Sequence, residues 1–268
     1  MIRSIVRLGA VLGVVGGTFL LSPDSGLRLF SLIPVGTEPA YAIPENQILE
    51  KLRSIPVFTI TDTQGAPLVA TVPQGDKKAA VAGVFISRTD AVAFIDRLKS
   101  RDPKLASTIQ VTTVSLGEVY RMSQQGQGSA DEVQFAYVPV QKQVDLAKTV
   151  LQENGQGVSE FNGVPLFIAK GGPDNGYLTI QNGNEQVIPM FFYKEDLQNM
   201  LTQFKTQQPD LISNVKIDVV NLEGLLDALK KDNDQFLNRV VLIPPRETLE
   251  YLQKNQPARP AAPAPAPR

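Results

Sequence analysis

The feature that most constrains this chain is that it is written twice. Ile55-Pro-Val-Phe-Thr-Ile60 recurs as Val164-Pro-Leu-Phe-Ile-Ala169, and Val81-Ala-Gly-Val-Phe-Ile86 recurs as Val187-Ile-Pro-Met-Phe-Phe192. The stripe Asp90, Ala91, Phe94, Ile95 and Leu98 is matched by Asp196, Leu197, Met200, Leu201 and Phe204. Asp102-Pro103-Lys-Leu105 answers to Gln208-Pro209-Asp-Leu211, Val111–Leu116 to Ile217–Leu222, and Tyr137-Val-Pro139 to Leu242-Ile-Pro244. From the third strand onward the offset stays near 106 residues. A register held through successive elements points to two copies of one supersecondary unit.

Each copy reads in the same order. A short apolar strand (Pro56–Thr61; Val164–Ala169) is followed by a turn rich in Gly, Pro and Asp. A second strand (Leu68–Val72; Tyr177–Gln181) leads to a third (Val81–Ser87; Val187–Tyr193). The third has no polar alternation, which predicts burial on both faces. In the next element Ala91, Phe94, Ile95 and Leu98 fall at helical spacing and define one core-facing stripe. Pro103 and Pro209 stand just past the expected helix ends. A strand (Ile109–Val114; Val215–Val220) then runs into a short helix, with Ser115 and Asn221 as N-caps and Glu118 placed for a capping box. A last strand (Val133–Val138; Arg239–Ile243) and a helix started by proline (Gln141–Asn154; Pro245–Asn255) close each copy. Alternating strands and helices predict an α/β fold, a mixed sheet with flanking helices. Two tandem pseudo-symmetric repeats, about 50–156 and 160–256, would form one compact domain over residues 43–256.

Both ends fall outside this pattern. Residues 1–42 read as a signal peptide or an N-terminal anchor. Arg3 and Arg7 precede the apolar run Leu8–Leu21, and Ala40-Tyr41-Ala42 has the form of a cleavage signature. The run is too short to cross a bilayer comfortably, and no later stretch is long and apolar enough to do so. Either way the body is expected outside the cytoplasm. Residues 257–268 alternate Pro and Ala and are expected to form a disordered, polyproline-like tail.

Chemistry is conspicuous by what is missing. The chain has no His, no Cys and no Trp. Without His and Cys it lacks the commonest general base, the thiol nucleophile and the usual ligands of zinc, copper and iron–sulfur sites. No disulfide can stabilise it, so packing must. A net charge of −1 supplies no electrostatic footprint for nucleic acid. Gly126-Gln-Gly128 and Gly171-Gly172 lack the strand and helix that a phosphate loop requires. Ser87 with Lys170 or Lys194 is a conceivable nucleophile–base pair, but N-capping explains Ser87 more simply. Asp131-Glu132 and Glu195-Asp196 read as a solvated loop and a helix start. No catalytic residue, metal site or cofactor is expected; the chain does not read as an enzyme.

Binding is the better expectation. The two short helices carry an excess of apolar residues: Leu116, Val119, Tyr120 and Met122 in the first, Leu222, Leu225, Leu226 and Leu229 in the second. They either belong to the ordinary core or leave one flank of each helix open, forming two matching polypeptide-binding grooves. Met122, Met190 and Met200 suit adaptable packing.

Three strings sharpen this expectation. Ile55-Pro-Val-Phe-Thr-Ile-Thr-Asp62, Val81-Ala-Gly-Val-Phe-Ile-Ser87 with Asp90-Ala91, and Val114-Ser-Leu-Gly-Glu-Val-Tyr120 occur in order. In these the chain resembles the 22-kilodalton subunit family of the chloroplast inner-envelope translocon (Tic), and its cyanobacterial members in particular. The likeness extends from about Ile48 to Lys254. It implies an ATP-independent, chaperone-like protein that assists protein translocation or outer-membrane biogenesis. It also implies residence in the periplasm or the thylakoid lumen. The partners implied are unfolded or translocating polypeptides and the outer-membrane β-barrel assembly or translocation machinery, with peripheral membrane association and no nucleic acid. The alternative is a structural scaffold that bridges envelope translocation complexes, with the Pro/Ala tail as its contact. The resemblance assigns no site residues.

Overall fold

The structure is a computed structural model and describes residues 43–74, 77–126, 132–171, 175–207, 214–231 and 235–255. The leader and the Pro/Ala tail, Pro209 and much of the Gly126 and Gly171 loops lie outside these residues. An N-terminal helix α1 (Glu45–Arg53) precedes the first half: β1 (Pro56–Asp62), β2 (Val69–Gln74), β3 (Lys77–Phe85), α2 (Arg88–Lys99), the one-turn α3 (Pro103–Ala106), β4 (Ile109–Ser115), α4 (Leu116–Gln125), β5 (Val133–Val138) and α5 (Gln141–Glu153). The second half holds β6 (Pro165–Gly171), β7 (Gly176–Tyr177), β8 (Ile180–Asn182), β9 (Glu185–Phe191), α6 (Lys194–Gln207), β10 (Lys216–Asn221), α7 (Leu222–Lys231), α8 (Gln235–Arg239), β11 (Val240–Ile243) and α9 (Arg246–Lys254).

The fold is α/β as expected, but with two mixed sheets in place of one. The sheets share one strand order. In the first, β4 pairs antiparallel with β1, β1 with the end of β3, and β5 lies parallel to β3. In the second, β10, β6, β9 and β11 repeat those pairings in the same senses. β2 and β8 are antiparallel hairpin partners of β3 and β9. The expected second strand of the later half is split into β7 and β8. β3 departs from the expectation of burial on both faces: Lys78 is exposed and Ala79 to Val81 are half-buried, because this part runs out beyond the helices.

Strand alternation decides which face meets which layer. Val57 and Val84 of the first sheet and Leu166, Ile168, Ile188 and Met190 of the second point into one shared inner core. The alternate residues of each strand face outward. Phe58, Ile60 and Phe85 pack on Ala91 and Ile95 of α2. Phe167 and Phe191 pack on Leu197 and Phe204 of α6.

The helix that ends each half crosses to the other. α5 leaves the first sheet yet buries Ala147, Val150 and Leu151 on the outer face of the second. α9 leaves the second sheet yet lays Tyr251 against Phe58, with ring centroids 6.3 Å apart. Pro139 and the pair Pro244-Pro245 keep the connections extended, so neither chain can turn straight back onto its own sheet.

Most of the cap chemistry follows the sequence. The Glu118 amide donates to Ser115 Oγ at 3.0 Å, and the Gly224 amide donates to Asn221. The full capping box does not form, since the Glu118 carboxylate pairs with Arg121 one turn on. Ser87 stands at the N-cap of α2 without a side-chain cap bond; its hydroxyl donates to Glu247 of α9 at 3.3 Å. Pro103 does more than follow a helix. It opens α3, whose Leu105 amide is capped by Asp102.

The element absent from the sequence expectations is α1. It buries Ile48 and Leu52 in the inner core, with Ile43 and Ile55 flanking it. Each such side chain contributes about 1.5–3 kcal/mol, so α1 is a fixed part of the core. It reaches the second half as well: Lys51 Nζ donates to the carbonyls of Asn238 at 2.6 Å and Val240 at 3.3 Å. Its approach to α4 depends on Gly117, where a Cβ would sit 2.9 Å from the Leu49 carbonyl oxygen and 3.1 Å from the Arg53 amide nitrogen. Replacing Gly117 by Leu is therefore expected to lower stability by about 1–3 kcal/mol in chemical denaturation. Unchanged stability would show that α1 does not seat there.

The two exchanged helices are held by carboxylates of opposite character. At α9, Glu247 accepts from Ser87 and, at 2.7 Å, from the Tyr193 hydroxyl, while the Arg246 amide donates to Asp196 at 3.2 Å. Burial, and then the charge of Glu247, push Asp90 up against the pull of Arg97. Burial also raises Asp196, with Glu195 and Glu247 adding to it and the Arg246 amide and charge opposing. At α5, burial pushes Glu195 up, but hydrogen bonds from Lys142 and Gln143 prevail and hold it below the usual range. A carboxyl raised by folding binds its proton more tightly in the folded state, so acidification through that range stabilises the fold; a lowered one has the reverse effect. As pH falls from neutral to about 4, the ordinary carboxylate range, the raised Asp90 and Asp196 should tighten α9, whereas the lowered Glu195 should loosen α5 only at about pH 4 and below. Amide hydrogen exchange, corrected for intrinsic rates, should show protection of α9 rising relative to α5 as pH falls. A parallel response of both helices would exclude these carboxylates as the cause.

Candidate polypeptide-binding site

The two helices proposed to line grooves are where the sequence put them, but their apolar flanks are covered. Leu116, Val119 and Tyr120 of α4 and Leu222, Leu225, Leu226 and Leu229 of α7 all lie in the inner core. α1 packs along α4 and touches α7, so the space between the two helices is filled by the chain itself. Each helix is also tied back to a strand: the Leu116 amide donates to the Ile55 carbonyl at 2.7 Å, and the Leu222 amide to that of Val164 at 2.8 Å. The expected pair of open grooves is thus corrected to one continuous core. Of the eight residues, Met122 alone is half-buried.

Met122 marks the place where the inner layer does open. It lines a shallow cleft, with enclosed room for about one water molecule, together with Thr59, Pro67, Val84, Val114, Glu118, Val119 and Phe135. One wall is the inner face of the first sheet, where β1, β3, β4 and β5 contribute one residue each. The other wall is α4, and Pro67 forms part of the rim from the connection between β1 and β2. Thr59 is the polar residue within the wall, and its hydroxyl is used internally, donating to the Gly83 carbonyl at 3.1 Å. The Glu118 carboxylate is paired with Arg121. The cleft therefore offers hydrocarbon, a thioether and one aromatic ring, with its polar groups already engaged. Such a surface offers apolar contact to a group laid across it.

The second half closes the same region. Between β6 and β8, where the first half has Pro67, it carries Tyr177. Between α7 and β11 it carries Phe236. Their rings lie 4.3 Å apart and pack against the inner core. Lys170 Nζ sits 4.8 Å over the Tyr177 ring and bonds to Asp218 at 2.6 Å, which fixes this corner. α7 has Gly224 and Ala228 where α4 has Glu118 and Met122.

The residues weighed for catalysis are not brought together. Ser87 donates to Glu247, and Lys170 is paired with Asp218. Glu195 is held by Lys142 and Gln143, while Asp196 accepts the first amide of α9. Among the described residues no group of three or more acidic side chains is placed to hold a metal ion, and no helix is long and apolar enough to cross a membrane.

Sequence reasoning found Met122 and Val119 but missed Thr59, Pro67, Val84, Val114 and Phe135. One signal was available. Thr59 is polar at a position where the second half has Ile168.

Comparison with known proteins agrees with this architecture. The model of the Tic22-like family matches residues 3–256. The TIC 22-like chloroplastic protein of Arabidopsis thaliana is 25% identical over 202 residues, covering 74% of this chain and 60% of the relative. The TIC 22 chloroplastic protein of Pisum sativum is 23% identical over 212 residues, covering 78% and 77%. The chain thus spans about 60% of the length of the Arabidopsis relative. Among solved structures, Anabaena Tic22, described as a protein-transport protein, superposes with a TM-score of 0.70 at 37% identity over 81% of this chain and 99% of that one. Tic22 from Plasmodium falciparum shares the fold, with a TM-score of 0.62 at 23% identity over 77% and 96%. A family match over nearly the whole length, with a solved member of the same architecture, leaves one conclusion: the chain belongs to the Tic22-like family.

Proposed function

We propose that this protein is an exported, ATP-independent, chaperone-like factor that binds unfolded or translocating polypeptides in the periplasm or the thylakoid lumen. In this role it assists protein translocation or outer-membrane biogenesis, alongside the β-barrel assembly or translocation machinery. The observation that carries the proposal is the open apolar cleft of the first half, set against its filled counterpart in the second. A protein can close such a cleft with its own aromatic residues, as Tyr177 and Phe236 do. Leaving one open exposes apolar surface that favours association with an apolar group from outside. The protein-transport description of Anabaena Tic22 supports the same direction. The common strand order of the two sheets also supports reading residues 43–256 as a duplicated unit within one domain.

The test is whether the purified protein, without nucleotide, keeps an unfolded outer-membrane β-barrel protein soluble at near-stoichiometric ratios. Met122→Glu is expected to reduce that protection at least tenfold while the circular dichroism spectrum stays unchanged. Gln125→Lys, on the exposed side of the same helix, should protect as well as the parent protein. Full protection by Met122→Glu would remove the cleft from the proposal. No protection by the parent protein would remove the chaperone reading itself.

A further inference from the structure

The helix that covers the outer face of the first sheet is held lightly, and its counterpart α5 shows what is missing. Four residues past Pro139, α5 places Gln143; four residues past Pro244, α9 places Thr248. Both are buried, at 3% and 2% exposure. Gln143 uses its place fully. Its side-chain amide donates to Glu195 at 2.7 Å, and its side-chain carbonyl accepts the first amide of α6, that of Lys194, at 3.0 Å. Thr248 does neither. Its hydroxyl has no hydrogen-bond partner, and the Ser87 hydroxyl makes no cap bond to α2 because it is spent on Glu247. The apolar contact is just as uneven. α5 buries Val144, Ala147, Val150 and Leu151 besides Gln143, whereas α9 buries Thr248 alone. Leu249, Tyr251 and Leu252 are half-buried, with Tyr251 reaching Phe58 and Arg88. The bonds from Tyr193 to Glu247 and from the Arg246 amide to Asp196 lie at the surface, where water competes for both partners. Glu247 also brings a negative charge close to Asp90 and Asp196, adding to the burial that already raises both carboxyls. Pro244 and Pro245 have no N–H, so the connection from β11 donates no main-chain hydrogen bond of its own.

We propose that α9 is a latch, which leaves the first sheet as a unit about the Pro244-Pro245 connection while α5 and both sheets stay in place. An element with few buried apolar side chains and solvent-exposed hydrogen bonds opens at a lower free energy than the core it covers. Burial of an unpaired hydroxyl adds a penalty that only the closed state carries, and release of Thr248 to water removes it. The clasp lies in the first turn, at Arg246, Glu247 and Thr248. Fraying from the far end would leave that turn seated, so exposure of Thr248 reports departure of the whole helix. Closed, α9 shields the flank of Phe58 that meets Tyr251. Open, it bares that flank together with its own Leu249 and Leu252. α5 has no such freedom, because leaving the second sheet would expose four apolar side chains and uncap α6.

Two matched amides test this on the unaltered protein. Leu249 donates to the Pro245 carbonyl and Val144 to the Val140 carbonyl, both at 3.2 Å and both five residues past the corresponding proline. In hydrogen exchange at neutral pH, corrected for intrinsic rates, the Leu249 amide is expected to exchange at least tenfold faster than that of Val144. Equal protection would overturn the latch. Because the chain has no cysteine, a single introduced thiol gives a second reading without background. Thr248→Cys and, in α5, the fully buried Ala147→Cys are labelled separately with a thiol reagent in native buffer. The first should label at least tenfold faster than the second. Equal rates, both matching global unfolding, would mean that α9 leaves only when the whole fold does. Thr248→Val removes the unpaired hydroxyl and keeps the side chain's shape. It is expected to slow exchange at Leu249 at least threefold and to leave Val144 unchanged. No change, or faster exchange at Leu249, would remove the closed-state penalty on which the latch rests.

Discussion

The shared inner core is the constraint on which everything else in this molecule depends. Each sheet has an apolar inner face that would face water alone, and the two faces are buried against α4, α7 and above all α1. The contact is close because Gly117 lacks a side chain, allowing backbone to meet backbone where α1 crosses α4. With no cysteine available for a disulfide, this layer and its two outer counterparts must supply the packing that holds the fold. The same layer explains why apolar helices that look available for binding are covered. A side chain buried on all sides by its own chain is not a binding surface, however hydrophobic.

The exchange of α5 and α9 binds the halves a second time, from outside. The two helices are not held alike. α5 buries Val144, Ala147, Val150 and Leu151 together with the side chain of Gln143, which accepts the Lys194 amide at 3.0 Å and so caps α6. α9 buries Thr248, whose hydroxyl has no hydrogen-bond partner, and depends on Tyr251 and on the polar contacts of Glu247. Arg88, 4.5 Å over the Tyr251 ring, adds a cation–π contact. The outer face of the first sheet is therefore closed by a helix with a lighter hold than its partner on the second.

An architecture with the same strand order in both halves makes its departures informative. The second half fills its corner with Tyr177 and Phe236 and ends its hairpin in a tight turn. The first half leaves an apolar cleft and extends a bare strand edge beside it. Both departures fall on the same side of the same sheet, within a few residues of Pro67. Selection for stability alone would close such openings, since filling an apolar void and protecting an edge are both favourable.

What the sequence by itself determined is local. Strand alternation, the helical stripe of α2 and the Ser115 and Asn221 caps could be read because each depends on neighbours a few residues apart. The absence of His and Cys is read directly from the sequence in the same way. The sequence also contained α1, in the spacing of Ile48, Leu52 and Ile55, though no repeat partner drew attention to it. Tertiary structure decided which apolar residues were spent on the core. Val119 and Met122 are alike in hydrophobicity and three positions apart, yet one is buried and the other only half-buried. The difference lies in what α1, β5 and the Pro67 connection bring to each side of α4. Only tertiary structure could send α5 and α9 to opposite sheets, because that choice depends on which apolar surfaces the assembled halves leave uncovered. Periodicity tells a side chain which way to face, and packing tells it whether anything is there to meet it.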